Sequence, residues 1–205
     1  MKAAIFALFS VLFASHSLAA EKKIIDPNNI FPQVKLETSM GVMIVELNRI
    51  KAPIAVNNFL YHVITKEYDN TLFHRVIEDF VVQGGGYDVN YIPKKVGDKL
   101  INESGNGLKN ETSTIAMARE NDPHSATRQF YFNVSDNNNL DPGRNWGYTV
   151  FGEVTYGQDI IQQMALVETG FNEELGWKDV PVKPLVLLKA TLMPADYIHQ
   201  ADLTP

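Results

Sequence analysis

Short runs of near-alternating apolar and polar residues recur along most of this chain, and two stretches depart from them with a helical spacing. Val34, Leu36, Val42, Ile44, Val45 and Leu47 flank a turn-like Thr38–Gly41 segment, TSMG, so the alternation predicts a β-hairpin. The period then changes. Pro53 suits a first helical position and Val56, Phe59, Leu60 and Val63 share one helical face, which predicts a helix over Pro53–Lys66. Strands are expected at Leu72–Ile77, Phe80–Gln83, Thr114–Ala118, Gln129–Val134, Tyr148–Val154 and Leu185–Leu192, separated by loops rich in glycine, asparagine and aspartate. A second short helix is expected at Gly157–Leu166, with Ile160, Ile161 and Met164 on a buried face. About eight strands with two helices predicts a mainly β fold. Periodicity alone does not separate sandwich from barrel, but closure removes exposed strand edges and favours a closed eight-stranded antiparallel β-barrel with two flanking α-helices.

The N-terminus changes the picture of where the domain begins. Lys2, an apolar run from Ala3 to Ala14 and a small-residue ending, Ser17–Ala20, have the three regions of a secretory signal, and the run is short of the ~20 residues that span a bilayer. The chain thus divides into a removable signal over 1–20, a polar leader over 21–32 containing Pro27 and Pro32, one domain over 33–193, and a tail over 194–205. There is no cysteine, which excludes disulfides, thiolate metal sites and thiol nucleophiles, and leaves the hydrophobic core to hold the fold. Loss of Lys2 leaves 17 basic against 24 acidic residues, a surface with no general attraction for nucleic acid. After signal removal no membrane segment is expected, and the product reads as a soluble monomer.

Candidate chemistry concentrates in FHRVIEDFVVQGGG, Phe73–Gly86, where Arg75 sits near aromatics and Gln83 precedes a glycine run. Strand alternation places Phe73 and Arg75 on one face and His74 and Val76 on the other. The run Gly84, Gly85 and Gly86 lacks the lysine and hydroxyl residue of a phosphate loop, so it reads as a tight turn. His62, His74, His124 and His199 have no paired spacing for a metal site, and Ser125 lacks a nucleophile-elbow glycine pattern. Asn110 and Asn133 begin N-x-S/T triplets that read as coincidence.

Together with TIAMAR at Thr114–Arg119, SATRQFYFNV at Ser125–Val134, LDPG and GYTVFGEV, that segment resembles the cyclophilin family of peptidyl-prolyl isomerases, over roughly Val34–Met193. The signal, TIAMAR and GYTVFG are most similar to its exported bacterial branch, so the resemblance implies a periplasmic product, with secretion beyond the cell as the alternative. It implies catalytic roles for Arg75 and Gln83 and a substrate-binding surface of Phe73, Phe80, Val81, Ala118, Arg119, Gln129, Tyr131, Leu140 and Tyr148. Val81 stands where many members have methionine, Tyr131 where phenylalanine is common, Arg119 where asparagine is frequent and Tyr148 where many eukaryotic members have histidine. Glu78 and Asp79 replace a frequent Pro-Gly pair and bring negative charge beside Arg75. Asn139 replaces the tryptophan that contacts cyclosporin in sensitive members, which implies weak cyclosporin binding. No cofactor and no metal are implied, and the partners would be proline-containing unfolded or extended polypeptides. Two other readings stay open from residues alone: a proline-segment-binding chaperone or scaffold with little turnover, and a barrel for a small apolar ligand, in which a charged arginine and two glutamines would need costly compensation.

Overall fold

A computed structural model describes residues 25–173 and 175–195; the signal expected at 1–20 lies outside them. The elements in chain order are β1 (Gln33–Thr38), β2 (Gly41–Leu47), α1 (Pro53–Ile64), β3 (Thr71–Ile77), β4 (Val81–Asp88), β5 (Thr114–Met117), β6 (Phe130–Asn133), β7 (Val150–Tyr156), α2 (Gln158–Ala165), β8 (Thr169–Asn172), β9 (Trp177–Pro181) and β10 (Val186–Leu192). Eight of the strands close into an antiparallel barrel in the order β1-β10-β3-β4-β6-β5-β7-β2, and β8 and β9 form a separate hairpin. The expected barrel and both helices are present, with the helices ending a residue or two inside their predicted limits.

Local chemistry explains the first elements. At the β1–β2 turn the Thr38 hydroxyl accepts from the Met40 and Gly41 amides and donates to the Gly41 carbonyl, while alternation sends Val34 and Leu36 inward. Pro53 opens α1 where its missing amide hydrogen costs nothing, and the free amides of Ile54 and Ala55 donate to the Glu103 carboxylate at 3.0 and 2.9 Å. A residue 48 or 49 positions away therefore caps a helix whose own N-cap, Ala52, supplies no side-chain bond. The helix buries Val56, Phe59, Leu60 and Val63, and Phe59 packs on the rings of Tyr68, Phe130 and Phe151.

Four strands, β4, β6, β5 and β7, are apolar on both faces. Val82, Phe132, Phe130, Ile115 and Phe151 point into the main core, while Val81, Tyr131, Ala116 and Val150 form a second cluster on the opposite face. The first cluster holds the barrel together, and the second becomes the floor of the site described below.

One expectation is corrected. The glycines at 84–86 are not a turn but lie inside β4, where a Cβ on Gly84 would meet the Phe73 ring at 2.7 Å and the Leu72 carbonyl at 2.9 Å. Gly85 has φ of +84°, and a Cβ there would lie 2.9 Å from both Phe130 and Tyr68, so the close-packed aromatic core demands glycine on two counts. The described part of the leader is docked: Arg49 donates to the carbonyls of Ile25, Asp26 and Asn29, and the Leu47 amide donates to Pro32. The β8–β9 hairpin has no counterpart among the expected strands; it packs on β3, with Trp177 edge-on to His74 (6.0 Å between ring centroids) and to Tyr87 of β4 (4.7 Å).

His74 is 7% exposed beneath that tryptophan, its Nδ1 has no hydrogen-bond partner, and burial pushes its pKa down to about 4. A hydrogen bond with the Leu72 backbone opposes this in part, and the neighbouring Arg75 charge adds a smaller push in the same direction as burial. In an unfolded chain the ring takes its proton near 6.5, so as the pH falls below that value the unfolded state binds a proton that the folded state refuses. The stability present above pH 6.5 is lost progressively down to about pH 4, by on the order of 3 kcal/mol. Urea unfolding of wild type and His74→Gln at pH 7 and 4.5 checks this: the variant should lose markedly less stability between the two, and equal losses would refute the assignment.

Candidate functional site

Arg75 reaches the outer face of the barrel because β3 carries one extra residue. Phe73 pairs with Gly84 and Arg75 with Gln83, so two steps along β3 oppose one along β4, and His74 is the bulged residue. The bulge reverses the parity read from alternation. Phe73 and Val76 both enter the main core, whereas Arg75 points outward. Phe73, expected on the substrate surface, is 1% exposed and packs edge-on to Phe130, so it has no surface from which to touch a ligand.

From Arg75 the register continues as one lateral row: Arg75 opposite Gln83, Gln83 opposite Tyr131, Tyr131 opposite Ala116, and Ala116 opposite Val150. Side chains in such a row lie on one face. Arg75 Nη1 approaches Gln83 Oε1 at 3.4 Å, and Gln83 Nε2 donates to Gln129 Oε1 at 2.9 Å. Gln129 precedes β6, and its carbonyl accepts the Ala118 amide; its side chain lies where a Cβ on Gly86 would be, 2.6 Å from Nε2. The third glycine of the run thus makes room for the end of this polar chain.

A cavity of about 320 Å³ opens above the row, lined by Arg75, Phe80, Val81, Gln83, Ala118, Arg119, Tyr131, Leu140 and Tyr148. Nine of the eleven residues expected at the site therefore meet in one hollow; Gln129 lines the adjoining one with Gln83, and Phe73 lies beneath. None of the nine is a serine, cysteine, histidine or carboxylate. The hollow offers apolar contact and hydrogen-bond donation, and its only side-chain hydroxyls are the phenols of Tyr131 and Tyr148. Among the described residues no three His, Cys, Asp or Glu side chains are grouped to hold a metal ion.

The walls are fixed from behind. Tyr131 is 3% exposed and its hydroxyl donates to Asn110 Oδ1 at 2.7 Å, away from the cavity. Asn110 is held in turn by Asp141 Oδ1, which accepts from its backbone and side-chain amides, and by Asn133 Nδ2 at 3.3 Å. Asn137 bridges Asn133 Oδ1 and the Phe80 carbonyl, so one buried amide network reaches both the floor and the aromatic wall. Burial raises the Tyr131 phenol well above its usual range, which keeps the hydroxyl a donor. Asn110 and Asn133 are 1% and 0% exposed, so the two N-x-S/T triplets present no accessible amide.

On the opposite wall, Arg119 lies over the Tyr148 ring at 4.4 Å and donates to the carbonyls of Gly147, Glu120 and Trp146. Trp146 itself is half exposed and packs edge-on to His124, outside the cavity lining, while Asn139 is exposed in the short turn Asn138–Leu140. Glu78 and Asp79 occupy the exposed β3–β4 turn. Asp179 of β9, not among the expected site residues, also borders Arg75: its carboxylate lies 3.9 Å from Nε, in a hairpin with no apolar pattern to announce it.

Residues 33–192 match the family model of the cyclophilin-type peptidyl-prolyl cis-trans isomerases. A peptidyl-prolyl cis-trans isomerase of Streptomyces antibioticus is 47% identical over 164 residues, 78% of this chain and 98% of that protein. One from Acinetobacter baylyi is 36% identical over 94% of this chain and 96% of its own length. Among solved structures, a cyclophilin-type isomerase of Cryptosporidium parvum shares the fold with a TM-score of 0.66 at 22% identity, covering 80% of this chain and 98% of that one.

Asn110→Ala removes the acceptor of the Tyr131 hydroxyl and of one Asn133 amide hydrogen, leaving the Asn133 bond to Thr114 Oγ1 in place, and should destabilise the fold by about 2–4 kcal/mol. Tyr131→Phe should cost about 1 kcal/mol in wild type yet be neutral or stabilising in the Asn110→Ala background. A double-mutant cycle from urea midpoints measures this; additive losses would mean that the two side chains act independently.

Proposed function

The chain belongs to the cyclophilin-type peptidyl-prolyl cis-trans isomerase family, and from that premise we propose that Arg75 catalyses rotation of X-Pro bonds by donating a hydrogen bond to the prolyl nitrogen. The planar amide resists rotation by ~18–20 kcal/mol because twisting destroys its resonance. In the twisted state the nitrogen becomes pyramidal and recovers a lone pair, so a donor aimed at it favours the transition state over the planar ground state. A guanidinium suits the task, since it stays charged at every relevant pH and its planar fork fixes the direction of its N–H groups.

The observation that carries this reading is the placing of that cation beside the Phe80, Val81, Tyr131 and Leu140 wall of a hollow whose lining holds no serine, cysteine, histidine or carboxylate. Phe80, Val81, Tyr131 and Leu140 would hold the proline ring and exclude water, which strengthens the hydrogen bond. Gln83, anchored by Gln129, would steady the guanidinium and engage the rotating carbonyl. Ala118 and Arg119 would offer backbone contacts to the substrate chain, and Tyr148 would close the cavity. Glu78 and Asp79 beside the site would tune affinity without abolishing turnover.

The same reading takes 1–20 as a signal that is removed, leaving the domain over 33–193 to act as a soluble monomer on extended proline-containing segments of exported proteins and so assist their folding. It places the product in the periplasm, with secretion as the alternative. Fractionation of the source cell tests the location, and recovery of the mature chain only from cytoplasm would overturn it.

Arg75→Ala should remain folded and lose about 10²-fold or more in kcat/KM, since about 1.4 kcal/mol is tenfold. An NMR exchange or protease-coupled assay on a short X-Pro peptide measures it, and wild-type turnover in the variant would remove Arg75 from the mechanism. Peptide binding by the wild type without turnover would favour a proline-binding module instead. In the same assay cyclosporin should inhibit weakly, and nanomolar inhibition would contradict the reading of Asn139.

A further inference from the structure

We infer that Asp179, carried by the β8–β9 hairpin, is a positioning residue that steadies the Arg75 guanidinium from the edge opposite Gln83. The inference rests on the proposed role of Arg75 and extends it to a part of the chain outside the barrel. Arginine has a long side chain with several free rotations, and its value as a directed donor depends on losing that freedom before substrate arrives. Gln83 restrains one terminal nitrogen only, and at 3.4 Å the contact is long. Asp179 Oδ2 lies 3.9 Å from Nε, so the guanidinium is bracketed by an amide oxygen at one nitrogen and a carboxylate at another.

The backbone that bears this carboxylate is itself held in place. Asp179 lies in β9 between Trp177 and Val180, which pair with Asn172 and Gly170 of β8. Trp177 wedges against Tyr87 and His74, and His74 is the bulged residue next to Arg75. One aromatic contact thus fixes both the strand that bears the cation and the hairpin that bears the anion. Asp179 has φ of +62°, a conformation uncommon for a residue with a Cβ, which sets its side chain off from the alternation of its strand.

The two side chains are 38% and 41% exposed, so the pair is open to screening by salt, and this separates electrostatic steadying from mere packing. The test uses the mature chain, a proline peptide with neutral flanking residues, and NMR exchange at saturating and limiting peptide. At low ionic strength Asp179→Asn should lower kcat about two- to fivefold with little change in KM, the size set by an exposed ion pair. Raising salt from ~10 mM to ~1 M shrinks the Debye length from about 30 Å to about 3 Å, and should bring wild-type kcat down towards the variant while the variant stays flat. Asp179→Glu should recover part of the loss.

An Asp179→Asn variant with wild-type kcat and wild-type salt response would overturn the inference. So would an effect confined to KM for charged peptides, which would make Asp179 a rim charge that selects substrates. A loss of kcat matched by a lower melting temperature and no salt dependence would reduce it to a packing residue. Failure of the isomerase reading looks different, because there the wild type itself, or Arg75→Ala, behaves against expectation before Asp179 is touched.

Discussion

Cross-strand register is the constraint on which this molecule turns. Arg75, Gln83, Tyr131, Ala116 and Val150 come from five strands that are scattered along the sequence, yet pairing sets them in one row on the outer face of the barrel. A single inserted residue at His74 decides the outcome. Without it Phe73 and Arg75 would share a face, and either an aromatic would be lost from the core or a guanidinium would enter it unpaired, at a cost of several kcal/mol. The bulge resolves both demands, and the close approach of Gly84 to the Phe73 ring leaves the strand little room to slip back.

Both faces of β4, β5, β6 and β7 are occupied, which gives the fold and the site a common origin. The interior face builds the aromatic core around Phe59, Phe130 and Phe151, and the exterior face supplies the floor of the cavity. Rigidity in the core is therefore passed one residue along each strand to the groups that would meet substrate. The amide network behind Tyr131 extends the same stiffness to the loops at Asn137 and Asp141. Such networks are costly if incomplete, and here the central asparagines are 0–5% exposed and mutually paired.

Much of the barrel was legible because its strands obey the period of two, and α1 because Val56, Phe59, Leu60 and Val63 keep the helical one. What could not be read was whatever breaks periodicity. The parity of Arg75 depends on a bulge, which leaves no mark in the spacing of apolar residues. The glycines at 84–86 look like a turn by composition, and only the rings packed against them reveal why side chains are absent from a strand. Up to its buried Val180 and Pro181 the β8–β9 hairpin alternates between exposed and half-buried positions with few aliphatic residues, so Asp179 gave no sign of its proximity to Arg75. Gathering nine expected residues into one cavity depended on family resemblance, since pairing partners 46 residues apart, such as Gln83 and Gln129, share no local pattern.

Because the eight barrel strands form a closed ring, each has both flanks engaged by neighbours. If an extended chain binds at the cavity as proposed, the barrel itself offers it side chains and a few loop carbonyls, but no unpaired strand edge to zip onto as a further strand. On that reading contact is confined to a few residues around the X-Pro bond, and the barrel provides no edge on which a bound polypeptide could template an aggregate.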